Sequence, residues 1–70
     1  MNEHKFKVGQ AVEFSPPRGL YAATGAYHVT AELPVRYGEF EYRIKHPREA
    51  YERVAAERNL MKVPNSARAA

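Results

Sequence analysis

The residues from Phe40 to Lys45 alternate apolar and charged side chains without interruption. Phe40, Tyr42 and Ile44 fall on one side of an extended chain, and three charged residues fall on the other. This period of two is typical of a β-strand with one buried face and one solvent-exposed face. A fold that contains this strand needs further elements to cover its three apolar side chains.

Two earlier segments show the same alternation and extend the sheet. One predicted strand covers Lys5–Phe14, with Gly9 as a bend, and a second covers Ala26–Leu33 and ends before the next proline. Gly38 suits the turn that follows, so the second strand and Phe40–His46 are predicted to form an antiparallel hairpin. The inner face of the second strand is predicted to hold four apolar residues, namely Tyr27, Val29, Ala31 and Leu33.

The segment after His46 has two interpretations. Helix propensity favours a helix over Pro47–Asn59, in which opposite charges such as Glu49 and Arg53 stand four residues apart. With that helix, the chain would be a three-stranded antiparallel meander plus one helix, an α+β fold. Removal of the sheet edges instead favours further strands. In that interpretation a fourth and a fifth strand would close the sheet.

Several runs carry a resemblance to a known family: Phe6-Lys7-Val8-Gly9-Gln10-Ala11-Val12, Tyr27-His28-Val29, Leu33-Pro34, Tyr42-Arg43-Ile44-Lys45 and Glu52-Arg53-Val54-Ala55. The chain resembles a family of small, uncharacterised, mainly alphaproteobacterial proteins that are similar to SH3-like barrels. The resemblance implies a fourth strand over Tyr51–Ala55, a helical turn over Glu57–Leu60 and a fifth strand over Met61–Val63. We therefore predict a mainly β fold, a five-stranded SH3-like barrel over residues 6–63, with residues 1–5 frayed and residues 64–70 disordered.

The composition argues against most catalytic and metal sites. The chain of 70 residues contains no cysteine and no aspartate, so disulfides, thiolate zinc sites and Ser-His-Asp or Cys-His arrangements are excluded. His4, His28 and His46 lack close ligand spacing, and no glycine-rich phosphate loop is present. We predict a protein that is not an enzyme and that has no cofactor and no metal.

The chain has no sequence feature of a membrane or secreted protein. No apolar run approaches the roughly 20 residues that span a bilayer, and the first residues do not resemble a secretory signal. We therefore expect a cytoplasmic protein without a membrane partner.

Exposed aromatic and basic residues are the remaining functional candidates. SH3-like barrels bind ligands between the loops after their first and second strands, and the corresponding segments contain residues typical of interface hot spots. The predicted site for an unknown protein or peptide partner consists of Arg18, Tyr21, Arg36 and Tyr37. The alternative is a nucleic-acid-associated module like the Tudor or KOW relatives of this barrel. It would use Lys5, Lys7, Arg36, Arg43 and Lys45. The net charge of +3 is interspersed with glutamates, so nucleic acid is not favoured.

Overall fold

The computed structural model describes residues 4–63, and the elements in chain order are β1 (Ala11–Phe14), β2 (Ala26–Arg36), β3 (Glu39–Lys45), β4 (Glu52–Ala56), a 3₁₀ turn (Glu57–Asn59) and β5 (Leu60–Lys62). The strands form one sheet in the order β4-β3-β2-β1-β5, and all neighbours are antiparallel. The first three residues and the predicted disordered tail, residues 64–70, lie outside the described residues. No helix in this part of the chain is long and apolar enough to cross a membrane.

This arrangement confirms the mainly β class and the helical turn near the C-terminus. The alternative helix over Pro47–Asn59 is wrong, because β4 pairs with β3 and places Ala55 opposite Tyr42 on the buried face. Tertiary pairing therefore overrides the helix propensity of this segment. Among residues 4–63, β4 and β5 are the two edges and the sheet is not closed, so the barrel itself remains a prediction.

The first strand is shorter than the predicted Lys5–Phe14. A turn precedes β1, in which the amide of Gln10 donates to the carbonyl of Lys7 over 3.0 Å. Gly9 lies in this turn with a φ of 91°, a value that is incompatible with an extended strand. As a consequence Val8 is exposed, although an uninterrupted strand over Lys5–Phe14 would place it on the same face as Phe6 and Val12.

A β-bulge in β2 changes the face that its second half presents. Val29 pairs with Ile44 but Ala31 pairs with Arg43, so β2 contains one extra residue at this point. An insertion of one residue turns every later side chain to the other face of the sheet. Ala31 and Leu33 therefore lie on the outer face, and the predicted shared face with Val29 is wrong.

The second strand also continues through Pro34 to Arg36, beyond the predicted end at Leu33. A second irregularity of the β2–β3 register falls between Leu33 and Arg36, where proline cannot donate a ladder hydrogen bond. The hairpin consequently extends to the Arg36–Glu39 pair.

The core lies on the inner face of the sheet. Its buried apolar side chains are Phe6, Val12, Tyr27, Val29, Tyr42, Ile44, Ala55 and Leu60. Val54 lies on the outer face opposite Arg43 and is exposed. The register of β4 therefore buries a small alanine and leaves a valine in solvent.

Candidate functional site

The four residues that we predicted to bind a partner lie in two separate places. Arg36 and Tyr37 lie at the β2–β3 turn, whereas Arg18 and Tyr21 lie in the loop that joins β1 to β2. This loop precedes the first residue of β2 and the turn follows its last, so a strand of 11 residues separates the two pairs. The structure does not bring the four side chains into one groove but forms two candidate surfaces.

The β2–β3 turn holds an exposed aromatic residue in an unfavourable backbone conformation. Tyr37 and Gly38 form a two-residue turn with φ values of 53° and 74°, as in type I′ hairpins. Asn-Gly is the preferred pair in such a turn, because bulky residues rarely adopt positive φ. Tyr37 is nevertheless present, is 93% exposed, and has the guanidinium carbon of Arg36 5.5 Å from its ring centroid.

A groove of about 520 Å³ adjoins this turn on the outer face of the sheet. The bulge in β2 supplies Leu33 to its floor, and the β3–β4 pairing supplies the Arg43–Val54 pair. Glu41 is the one acidic residue that lines it. We call the turn and this groove together the hairpin surface, which consists of Leu33, Pro34, Arg36, Tyr37, Glu41, Arg43 and Val54.

The second candidate surface is built on an irregular loop that is fixed by hydrogen bonds. A turn opens the loop, in which the amide of Leu20 donates to the carbonyl of Pro17 over 3.0 Å and Gly19 has a φ of 86°. Arg18 lies within this turn, and Tyr21 follows it directly. We call the exposed arginine, leucine and tyrosine residues of this loop and of the facing β3–β4 connection the loop surface, which consists of Arg18, Leu20, Tyr21, Arg48 and Tyr51.

An ion pair between Glu49 and Arg53 holds the loop in place. The Nε and Nη2 atoms of Arg53 donate to the two carboxylate oxygens over 2.9 and 2.8 Å, and these side chains are only 13% and 8% exposed. Arg53 also donates to the carbonyl of Tyr21, and Glu49 accepts from the amide of Ala23. The Arg53 hydrogen bonds, with the Ala23 amide, lower the pKa of Glu49 to about 2. Both groups therefore stay charged at neutral pH.

The buried side chain of His46 also holds the loop, through a hydrogen bond to its backbone. Its Nε2 atom lies 2.8 Å from the carbonyl oxygen of Thr24, and its Nδ1 atom accepts from the amide of Arg48 over 3.0 Å. These partners require a neutral ring with the proton on Nε2. The Lys45 ammonium donates to the carbonyls of His46 and Glu49 and so stabilises the β3–β4 connection. The loop is thus fixed by contacts along its whole second half.

The N-terminal segment is attached to the opposite end of the sheet. His4, which we expected to be frayed together with Lys5, packs on Tyr42 with ring centroids 5.1 Å apart. Glu57 accepts hydrogen bonds from the Lys5 amide (2.9 Å) and from the Tyr42 hydroxyl (2.5 Å). The amide of Phe6 in turn donates to the Tyr42 oxygen over 3.1 Å. Burial, followed by the hydrogen bond to Glu57, raises the pKa of Tyr42 to about 12.

This raised pKa predicts a loss of stability in alkali. Because the folded state prefers the neutral phenol, the Tyr42 contribution is complete below its ordinary pKa of 10.0 and is lost as the pH rises through 12. Urea unfolding across this range should give a falling free energy of unfolding, and Tyr42→Phe should flatten that fall. Some slope should remain in the variant, since burial also raises the pKa of Tyr27. An identical slope in the two proteins would contradict the assignment.

The five cations of the nucleic-acid alternative do not form one positive face. Arg43 and Lys45 lie on the outer face of β3, but Arg43 pairs with Glu52 and the Lys45 ammonium donates to backbone carbonyls. Lys5 lies near the inner face beside Glu57, and Lys7 lies in the turn before β1. Arg36 lies at the hairpin turn and lines the same groove as Arg43. Two of the five cations therefore share the hairpin surface, and the positive charge of the other three is dispersed.

Several residues of the two surfaces were not recognised from the sequence. Leu33 was assigned to the inner face and Val54 to neither surface, because neither the bulge in β2 nor the register of β4 has a local sequence signal. Arg48 and Tyr51 were assigned to a possible helix or strand. An available signal was Pro47-Arg48, which suits the turn that the structure forms at this position.

Neither a metal centre nor a related protein identifies the function of these surfaces. Within residues 4–63, no group of three or more His, Cys, Asp or Glu side chains is placed to hold a metal ion. No protein family, curated protein or solved structure matches the chain.

Proposed function

We propose that the chain is a non-enzymatic binding module that holds a segment of a protein or peptide partner against the hairpin surface. The observation that carries this proposal is the combination of exposure and positive φ at Tyr37. Such a backbone conformation costs on the order of 1–3 kcal/mol for a residue other than glycine. A side chain that is 93% exposed gains little packing in return, so a role in binding accounts for its presence.

The composition of the hairpin surface supports a protein or peptide ligand. Leu33 and Val54 supply an apolar floor, while Arg36 and Tyr37 stand at one end of it. Tyrosine and arginine are enriched among residues that dominate binding energies. Arg36 forms no ion pair with any described residue, so its guanidinium is available to a carboxylate or carbonyl of the partner.

The proposal that the module is not an enzyme rests on the hydrogen bonds that its polar side chains form within the chain. Glu49, Glu57 and His46 are each engaged in hydrogen bonds that hold segments of the chain together. In the described part of the chain, no buried side-chain nitrogen or oxygen lacks a hydrogen-bond partner. These contacts support a structural role for the three groups and a module without catalysis.

We further propose that the sheet belongs to a cytoplasmic SH3-like barrel of the bacterial family that the sequence resembles. The order of elements supports this, because a strand at Arg53, a 3₁₀ turn and a fifth strand follow one another as the resemblance implies. The bulge in β2 also supports it, since bulges bend strands and increase their twist.

The substitution Tyr37→Asn tests the binding proposal by separating stability from function. Asparagine is favoured at this turn position, so the free energy of unfolding should rise by about 1 kcal/mol. Partner affinity should fall by about thirtyfold, the equivalent of a hot-spot loss of about 2 kcal/mol. A pull-down with the wild-type chain identifies the partner. Calorimetry then measures the affinity of the wild type and of Tyr37→Asn for that partner.

The matched control is Val8→Asn, which removes an exposed apolar side chain from a turn outside the hairpin surface. We expect this variant to bind with wild-type affinity. Equal partner binding by the wild type and Tyr37→Asn would reject the hairpin surface as the site.

A nucleic-acid function is the weaker proposal, because only two of the cations Lys5, Lys7, Arg36, Arg43 and Lys45 share one surface. Binding of that kind would weaken steeply with salt, since each phosphate contact releases counterions. Titration with single-stranded RNA at low salt distinguishes the two functions. Tight, salt-sensitive binding that survives Tyr37→Asn would favour nucleic acid over a peptide.

A further inference from the structure

We infer that the loop surface is a second, separate binding surface and that its ligand is an acidic protein segment. This inference goes beyond the proposed function and does not depend on it, because β2 separates the loop surface from the hairpin surface. Three observations carry it: the exposure of apolar side chains, the rigid attachment of the loop that bears them, and the charge of the residues around them.

Three large apolar or aromatic side chains of the loop surface are exposed to solvent. Tyr21 is 94% exposed, and Leu20 and Tyr51 are 46% and 56% exposed. The ring of Tyr51 lies 5.2 Å from the guanidinium carbon of Arg53, and Arg53 also donates to the backbone carbonyl of Tyr21. Arg53 therefore contacts the ring of Tyr51 and the backbone of Tyr21. Both tyrosines are exposed, and exposed tyrosines are residues that anchor protein interfaces.

The second half of the loop is held to the sheet by hydrogen bonds although it contains no regular secondary structure. A buried ion pair gives little net stability, because both charges lose their hydration, but it does orient the groups it joins. Here the Glu49–Arg53 pair holds the backbone at Tyr21 and Ala23, and His46 holds Thr24. A surface that is ordered before binding loses less conformational entropy when the ligand arrives. The arrangement is therefore suited to ligand binding.

The charges of the loop surface select an acidic ligand. Residues 15–25 and 46–53 contain two acids, and both are engaged: Glu49 with Arg53 and Glu52 with Arg43. Arg18 and Arg48 are exposed at turn positions and form no ion pair with any described residue. Each of these arginines stands three residues before an exposed tyrosine in the sequence, and its guanidinium can bind a carboxylate in the two-pronged geometry that arginine favours.

A protein segment fits this surface better than a nucleic acid does. Nucleic-acid sites carry a stripe of several cations that follows the phosphate backbone, whereas the loop surface has two, with Leu20 beside Arg18. An apolar side chain between acidic residues would place carboxylates at the arginines and contact Leu20 and the tyrosine rings. The expected ligand is therefore a glutamate- or aspartate-rich segment with an apolar residue within it.

The test is a titration of the isotope-labelled full chain with a short synthetic peptide in which glutamates flank a central Leu-Pro pair. Amide shifts in the nuclear magnetic resonance spectrum should change in residues 15–25 and 46–51. The double variant Arg18→Glu/Arg48→Glu should bind at least about tenfold more weakly, a change of about 1.4 kcal/mol. Tyr21→Ser, at a site too exposed to affect folding, should also weaken binding, whereas Tyr37→Asn should not.

The matched control is Lys7→Glu/Lys62→Glu, which changes the net charge equally at two exposed positions outside the loop surface. Retention of wild-type affinity by this control is expected. Equal losses in the two double variants would show attraction by net charge alone and would overturn the inference. Absence of shifts in the loop surface, or tighter binding there of a uridine oligonucleotide than of the peptide, would also overturn it.

Discussion

Replacing Tyr42 with phenylalanine should lower the free energy of unfolding by about 1–3 kcal/mol, although the ring that fills the core stays in place. The Tyr42 oxygen accepts from the amide of Phe6 and donates to Glu57. Without this oxygen, the Phe6 amide is left in the interior with no partner, and the cost is that of desolvating a polar group. A domain of this size has a total stability on the order of 5 kcal/mol, so the loss is a large share.

Tyr27→Phe is the matched control for this prediction. Tyr27 is equally buried, but its hydroxyl donates only to the carbonyl of Ala23 in the β1–β2 loop. Removal of this single bond should cost about 1 kcal/mol, since a carbonyl near the surface can bind water instead. Urea unfolding measures both variants, and hydrogen exchange of the Phe6 amide locates the effect. Equal costs for the two substitutions, or unchanged exchange at Phe6, would show that Tyr42 does not anchor the N-terminal segment.

The local alternation of side chains predicted most of the sheet but not the orientation of all its residues. β3 was predicted to within one residue, because its period of two is complete between Phe40 and Lys45. The bulge in β2 is a property of two paired strands, so it has no signature within Ala26–Leu33 alone. For this reason Leu33 was placed on the inner face, although it lines the groove of the hairpin surface.

The residue pair Glu49 and Arg53 illustrates a second limit of local interpretation. Their spacing of four residues indicated a helix, and the pair does form, but between a turn and a strand. The spacing correctly predicted that the two side chains pair, but it wrongly predicted a helical backbone between them. What could not be predicted is that the same pair also binds Tyr21 and Ala23, which are far away along the chain.

The candidate residues themselves were partly predictable, whereas their grouping was not. Exposed tyrosines and arginines on loops identified Arg18, Tyr21, Arg36 and Tyr37. Their separation into two surfaces follows from the length of β2, which continues past a proline that normally ends a strand. Gly38 was expected to adopt positive φ, but the same conformation at Tyr37, the most informative feature of the turn, becomes visible only in the structure.

Acid should detach the β1–β2 loop from the sheet before the core unfolds. The pKa of Glu49 is lowered to about 2 from its ordinary 4.5, chiefly by the hydrogen bonds from Arg53. A lowered pKa means that the charged carboxylate stabilises the folded state above pH 4.5, and that this stability is lost as the pH falls through 2. Once Glu49 is protonated, the Arg53 guanidinium loses its counter-charge in a largely buried position, and the hold on Tyr21 and Ala23 weakens.

Glu49→Gln should reproduce this detachment at neutral pH, and Glu13→Gln provides the control, since Glu13 is exposed and forms no ion pair with any described residue. Hydrogen exchange at Ala23 should accelerate strongly in Glu49→Gln and remain unchanged in Glu13→Gln. The stability of Glu49→Gln should also depend less on pH between 4.5 and 2, because the group that titrates there is absent. Equal acid sensitivity in the wild type and Glu49→Gln would mean that other carboxylates control acid unfolding. Unchanged exchange at Ala23 would mean that His46 alone is sufficient to hold the loop.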